Sequence, residues 1–164
     1  MNIKQLLQNE TVIFDGAMGT MIQRYGLTEA DYRTGELSGC SKELKGNSEC
    51  LNLTRPDIIK AIHREYIEAG ADIIETNTFS ANRISQAEYG CEEFAAKMAY
   101  EGARLAREVA DEIMGGTDSC PSEDRYEVRE DGKTNAGGRK ILVAGSIGPT
   151  SKSLSLSPDV SDPA

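Results

Sequence analysis

Three short apolar runs punctuate the chain: Thr-Val-Ile-Phe at 11–14, Ala-Asp-Ile-Ile-Glu at 71–75 and Lys-Ile-Leu-Val-Ala at 140–144. Each is too short for a helix and is largely apolar rather than alternating, which predicts strands covered on both faces. Between them lie two stretches of helical period. In the first, Ile58, Ile62 and Tyr66 recur every four residues with Ile59 and Ile67 beside them. Thr54-Arg55-Pro56-Asp57 predicts its start, with a hydroxyl to cap, a proline where no amide donor is needed and a carboxylate near the positive end of the dipole. Gly70 predicts its left-handed stop. In the second, Phe94, Met98, Leu105, Val109 and Ile113 mark a long helix closed by Gly115-Gly116. Ile3, Leu6 and Leu7 predict a short opening helix, and residues 26–53 read as a long polar loop carrying one short helix. The charged segment 115–139 has too few apolar residues to form a core and is expected to be an exposed, mobile insertion. Residues 150–164 read as Ser- and Pro-rich loop.

The order strand, helix, strand, helix, strand defines an α/β fold with a parallel sheet. Such sheets place chemistry at the carboxyl ends of their strands. Here those ends carry Asp15-Gly16, Glu75-Thr76-Asn77-Thr78 and Gly145-Ser146. Asp15 with Glu75 puts two carboxylates at one mouth, suited to holding an ammonium group or to acid–base work. The plainer alternative is that Asp15 caps a turn and Glu75 faces solvent. The spacing of Gly16 and Gly19 is neither the dinucleotide nor the nucleotide-triphosphate pattern, which favours a tight turn or amides bonding a substrate carboxylate over phosphate binding. Ser146 has no base nearby in sequence, so it is a weak nucleophile candidate. His63, the only histidine, reads as a helix-surface residue, and Met18 and Met21 as gap fillers.

At 164 residues the chain has the length of one domain or part of one. Its net charge of −9 repels phosphate backbones and anionic lipid, which argues against nucleic acid and membrane surfaces as partners. No apolar run reaches the length of a membrane span, and the first ten residues lack the basic start and apolar stretch of a secretory signal, so the expected location is cytoplasmic. Cys40, Cys50, Cys91 and Cys120 form none of the close pairs of zinc ribbons or redox motifs and are expected to be reduced and unpaired.

Five words, in order, carry a resemblance. They are Phe-Asp-Gly-Ala-Met-Gly-Thr-Met-Ile-Gln at 14–23, Leu-Lys-Gly-Asn at 44–47, Leu-Asn-Leu-Thr-Arg-Pro-Asp at 51–57, Glu-Ala-Gly-Ala-Asp-Ile-Ile-Glu-Thr-Asn-Thr-Phe at 68–79, and Gly-Ser-Ile-Gly-Pro-Thr with Ser-Pro-Asp-Val within 145–160. Together they resemble the homocysteine S-methyltransferase family, and within it the amino-terminal homocysteine-binding module of the cobalamin-dependent methionine synthases. The betaine- and S-methylmethionine-dependent relatives share the Asp-Gly start, whereas Lys-Gly-Asn and Ser-Pro-Asp-Val favour the cobalamin branch.

The resemblance implies a (β/α)8 TIM barrel that binds homocysteine at its carboxyl face, with zinc holding the sulfur as thiolate. It implies methylcobalamin as methyl donor, remethylated from methyltetrahydrofolate by other modules. Carried over by motif, Asp15, Gly16, Ala17, Glu75, Thr76 and Asn77 become substrate-pocket residues, as does Ser146 less directly. No catalytic residue or metal ligand is carried over. The family's zinc cysteines lie late in the barrel, one at a strand end and two in a Gly-Gly-Cys-Cys absent from this chain. The expectation is therefore a partial barrel domain spanning 1–164, comprising the first three strand–helix units, inactive by itself and prone to self-association. The rival reading is a non-catalytic α/β binding or scaffold protein derived from the same barrel.

Overall fold

The computed structural model describes residues 11–115 and 140–150. The expected opening helix, the insertion beyond Gly115 and the tail after Thr150 lie outside those residues.

Strand β1 (Ile73–Glu75) pairs in parallel with β2 (Leu142–Ala144), Ile73 opposite Leu142 and Glu75 opposite Ala144. Around them are helices α1 (Met18–Gln23), α2 (Glu29–Tyr32), α3 (Leu51–Thr54), α4 (Pro56–Ala69), α5 (Arg83–Gln86) and α6 (Ala95–Ile113). The described part is an α/β fold, more helical than the sequence pattern predicts.

The expected first strand is a single parallel bridge, Phe14 to Ile73, on the edge of β1 away from β2. Around the bridge, Ile73 N–H donates to Ile13 O at 3.1 Å and Asp15 N–H to Ile73 O at 2.9 Å. A longer parallel ladder would send Glu75 N–H to the Asp15 carbonyl and Ile13 N–H to the Ala71 carbonyl. Both donors go to side chains instead: Glu75 N–H to Asp15 Oδ2 and Ile13 N–H to Asp72 Oδ2, each at 3.0 Å. Two aspartates thus end the ladder after one residue. Ile13 and Phe14, expected to be buried, are each 53% exposed.

Pro56 opens α4 as expected, and Gly70 closes it at φ 116°, a conformation that a Cβ would strain. Thr54 does not cap it. That hydroxyl donates back to Cys50 O, just before α3, and Arg55 occupies the cap position, its guanidinium paired with Asp57 and Asp31. In α6, Ala95, Met98, Gly102, Leu105, Ala106 and Val109 lie on one buried stripe of helical period. The two long helices pack together, with Lys60 bonded to Glu108 at 2.6 Å and Arg64 to Glu112 across the seam.

One apolar cluster joins Leu37, Leu44, Leu51, Ile59, Ile62, Met98 and Leu105; a second joins Ile67, Ile74, Val109 and Ile141 beside the sheet. A fully buried Ile or Leu of this kind stabilises the fold by about 1.5–3 kcal/mol.

Residues 26–53 are more ordered than a loop. They hold α2, single 3-10 turns at Gly35–Gly39 and Ser48–Cys50, and the start of α3. The Glu29 carboxylate gathers this segment, accepting from Leu44 N–H at 3.0 Å, from Lys45 N–H at 2.7 Å and from Arg33. Its buried residues Tyr32, Leu37, Leu44 and Cys50 are too irregularly spaced to produce a periodic signal.

His63 is also unlike its expectation. It is fully buried on α4, and neither ring nitrogen has a hydrogen-bond partner among the described residues. Burial pushes its pKa down to about 4, so the imidazole is neutral at neutral pH. Among the described residues no helix is long and apolar enough to cross a membrane.

Candidate functional site

The parallel register brings Asp15, Glu75 and Ser146 to the same end of the sheet. Asp15 leaves the bridge with its own N–H on Ile73 and its carboxylate on Glu75 N–H, so the side chain is held across the carboxyl end of β1. Burial raises its pKa to about 6; the Glu75 N–H opposes the rise and the Glu75 charge adds to it. The Glu75 side chain is exposed and accepts from Ser146 Oγ at 3.4 Å. The site therefore holds two carboxylates at one strand end, Asp15 on the Glu75 N–H and Glu75 turned to Ser146, with Asp15 close to titration at neutral pH.

Gly16 and Ala17 follow Asp15 at the exposed entrance to α1. A Cβ at Gly16 would stand 3.0 Å from Tyr66 Oη and 3.2 Å from its ring carbon Cε1, so this position suits a glycine for a close approach. Tyr66 reaches over from α4, donating to Ala17 O at 3.3 Å; burial and then the Asp15 charge hold its phenol above the ordinary range.

Thr76 and Thr78 clip the two strand ends together. Thr76 N–H donates to Ala144 O, Ser146 N–H donates to Thr76 Oγ1 at 3.0 Å, and Thr78 Oγ1 donates to Ser146 O at 2.8 Å. Asn77 turns the other way. Its amide nitrogen donates to Ser48 O at 2.8 Å and Asn52 Oδ1 at 2.9 Å, while Asn52 Nδ2 returns to Asn77 O and also bonds Met98 O. Both asparagines are almost fully buried, and Gly102 of α6 lies directly against them.

The sequence reading located Asp15, Glu75, Thr76 and Ser146 at one mouth, and the structure brings these four together. It places Asn77 in a buried amide knot just behind them. Tyr66, Asn52 and Gly102 were missed as parts of this region. Asn52 stands in the recognised word Leu-Asn-Leu, and Tyr66 was read only as part of an apolar stripe.

Gly148 is a second close approach, since a Cβ there would stand 2.5 Å from the Phe79 ring. Gly148→Ala is expected to displace the loop after β2 or the Phe79 ring. Loss of the nuclear Overhauser contact between these two segments, with the α4–α6 contacts retained, would show it.

Zinc, implied by the resemblance, finds no fitting ligand set here. Among the described residues no group of three or more His, Cys, Asp or Glu side chains is placed to hold a metal ion.

Asp15, Glu75, Thr76 and Ser146 thus share the carboxyl end of the parallel strands, the end at which α/β folds bind their ligands. The family model described as homocysteine S-methyltransferase matches residues 12–163. The chain belongs to that family. Two solved structures are similar to it in fold, both of the homocysteine methyltransferase MmuM from Escherichia coli. The oxidized form has a TM-score of 0.60 at 23% identity, with 90% of this chain and 40% of that chain covered. The metallated form has a TM-score of 0.59 at 24% identity, with 90% and 41% covered. The chain thus spans about two fifths of the length of the solved structures it matches.

Proposed function

We propose that this chain supplies the amino-acid-binding part of a homocysteine S-methyltransferase, as the first three strand–helix units of a (β/α)8 barrel. The observation that carries the reading is the placement of both the Asp15 and the Glu75 carboxylates at the carboxyl end of β1, with the Glu75 charge acting on Asp15. Two carboxylates at one mouth favour a cationic group, and homocysteine offers an ammonium beside its thiol. In this reading Asp15 and Glu75 take the ammonium, the main chain of Gly16 and Ala17 donates to the carboxylate, and Thr76, Asn77 and Ser146 hold the walls in register.

The motif resemblance extends the proposal to zinc as the ion that keeps the sulfur as thiolate, methylcobalamin as donor and methyltetrahydrofolate as its source. Among the described residues no group of three or more His, Cys, Asp or Glu is placed to hold zinc, and the share of the reaction proposed for them is to seat and orient the amino-acid head. By itself the chain is proposed to form no methionine.

Titration calorimetry on the full chain tests this reading. Asp15→Asn and Glu75→Gln are each expected to weaken homocysteine binding by about tenfold or more, the usual worth of a charged hydrogen bond. The analogue 4-mercaptobutanoate, which lacks only the ammonium of homocysteine, should bind weakly to wild type and be indifferent to both changes. Equal affinity of all three proteins for homocysteine would overturn the proposal.

The pH profile gives a second check. Asp15 loses its charge as pH falls through about 6, so affinity should drop about tenfold from pH ~7 to pH ~5 for a one-proton linkage. Asp15→Asn should bind weakly throughout and show a flat profile. An equally steep drop in that variant would assign the titration to another group.

A further inference from the structure

Away from the mouth, two cysteines that the proposed chemistry leaves unused face one another. Cys40 and Cys91 are 51 positions apart in sequence, yet their sulfurs lie 3.3 Å apart. Cys40 closes the 3-10 turn Gly35–Gly39, its N–H on Leu37 O at 3.1 Å. Cys91 lies between the turns Ala87–Tyr89 and Glu92–Phe94, with its N–H on Gln86 O at 2.9 Å.

The two backbones are held together independently of the sulfurs. Lys42 Nζ donates to Ala87 O at 2.8 Å and Glu88 O at 3.1 Å, and the Arg33 guanidinium donates to the carbonyls of Cys40 and Lys42. The thiols are therefore prealigned by contacts that persist whatever the sulfurs do. A disulfide bond of about 2.05 Å requires the sulfurs to close by only a little over ~1 Å.

The two sulfurs also differ in reach. Cys40 is partly exposed, whereas Cys91 is buried, and burial pushes the Cys91 thiol up to about 12. Cys50, buried beside them, is likewise held protonated by burial. An oxidant in solution meets Cys40 first, and Cys91 waits behind it as a protonated resolving thiol.

We propose that Cys40 and Cys91 form a redox-active dithiol that closes reversibly to a disulfide under a peroxide oxidant. In the first step the Cys40 thiolate attacks a peroxide oxygen, the O–O bond breaks, and hydroxide leaves and takes up the proton that Cys40 released. Cys40 becomes a sulfenic acid. In the second, Cys91 Sγ attacks Cys40 Sγ, the S–O bond breaks, and water leaves carrying the Cys91 proton. Two thiols and one hydrogen peroxide thus give one disulfide and two waters, and a dithiol reductant reverses the change. The closed bond ties the segment leading to Asn47 onto the segment following Gln86, which already share two side-chain hydrogen bonds, at 2.7 and 3.1 Å.

Peptide mapping after oxidation tests this. The reduced full chain is treated with stoichiometric hydrogen peroxide, blocked with an alkylating agent, digested and examined by mass spectrometry. The expected product is an intrachain Cys40–Cys91 crosslinked peptide, two hydrogens lighter than its parts and lost on treatment with dithiothreitol. Cys50→Ser should give the same crosslink. Cys40→Ser should give no crosslink to Cys91, and Cys91→Ser should stop at a Cys40 sulfenic acid that a dimedone probe traps. A predominant Cys50–Cys91 link, a link to Cys120, or Cys40 overoxidised in wild type without any crosslink would overturn the proposal. The wild-type map decides the matter even where a variant fails to fold.

Discussion

Replacing His63 with Leu is expected to stabilise the fold at neutral pH by about 1–3 kcal/mol and to remove much of its acid sensitivity. The imidazole is fully buried and both ring nitrogens lack partners among the described residues, so folding strips them of water without replacement. Leu fills a similar volume without that desolvation. The pH effect follows from the pKa, about 4 in the folded chain against an ordinary 6.5. Between those values the unfolded chain binds more protons, so stability is complete above the upper value and falls as pH drops through the window. The full loss for this one group is about 3 kcal/mol.

Asp15 acts in the opposite sense. Its folded pKa is raised from 3.8 to about 6, so its contribution is present at low pH and lost as pH rises through that interval. Glu29, Asp31, Asp57 and Glu108, whose pKa values are lowered mainly by hydrogen bonds, add their own loss at acid pH. The histidine is therefore read from the difference between wild type and His63→Leu, and the aspartate from the difference between wild type and Asp15→Asn. Urea midpoints measured across this pH range in wild type, His63→Leu and Asp15→Asn provide the test. A His63→Leu protein that is less stable than wild type at neutral pH, or equally acid-labile, would show that the ring has a partner.

The second large effect lies behind the mouth. Gly102→Ala is expected to destabilise the chain by about 2 kcal/mol or more, against the local preference, since Ala is favoured over Gly in a helix by about 1 kcal/mol. The added Cβ would stand 2.7 Å from Asn52 Nδ2, 2.7 Å from Thr78 Cγ2 and 3.2 Å from Asn77 O. None of these groups is free to retreat. Asn52 Nδ2 is bonded to Asn77 O and Met98 O, and Thr78 is bonded to Ser146 O. Overpacking of about 1–3 kcal/mol combines with loss of a buried hydrogen bond, and the sum exceeds the gain in helix propensity.

Ala103 on the exposed face of the same helix provides the contrast, because Ala103→Gly should cost only the propensity difference. Equal or greater stability of Gly102→Ala in denaturant unfolding would mean that α6 does not approach the knot this closely.

These two effects also mark where the sequence was legible. The Ile73–Glu75 strand, the Leu142–Ala144 strand and the Pro56–Ala69 helix each carry a local signal, a short apolar run or a periodic stripe bounded by Pro and Gly. The placement of Asp15, Glu75 and Ser146 at one end of the sheet was legible because each lies at the end of such a run, and parallel order then places them together. The length of the first strand was not, because it is set by Asp15 and Asp72 side chains intercepting main-chain donors from partners 60 and 59 positions away. Residues 26–53 were hidden for a related reason, since Glu29 organises them through contacts without any period. His63 misled because its charge class predicts the surface, while its place on the buried face of α4 is a matter of packing. Gly102 had no local signal at all.

The proposed role of the mouth is tested most directly by following the backbone amide resonances of the reduced, isotopically labelled chain as homocysteine is added. The account predicts saturable shifts concentrated at Asp15, Gly16, Ala17, Glu75, Thr76 and Ser146, with those at Glu75 and Thr76 lost in Asp15→Asn. Saturable shifts centred elsewhere, or none at concentrations well above those at which a zwitterionic ligand with three or four hydrogen bonds should bind, would contradict it.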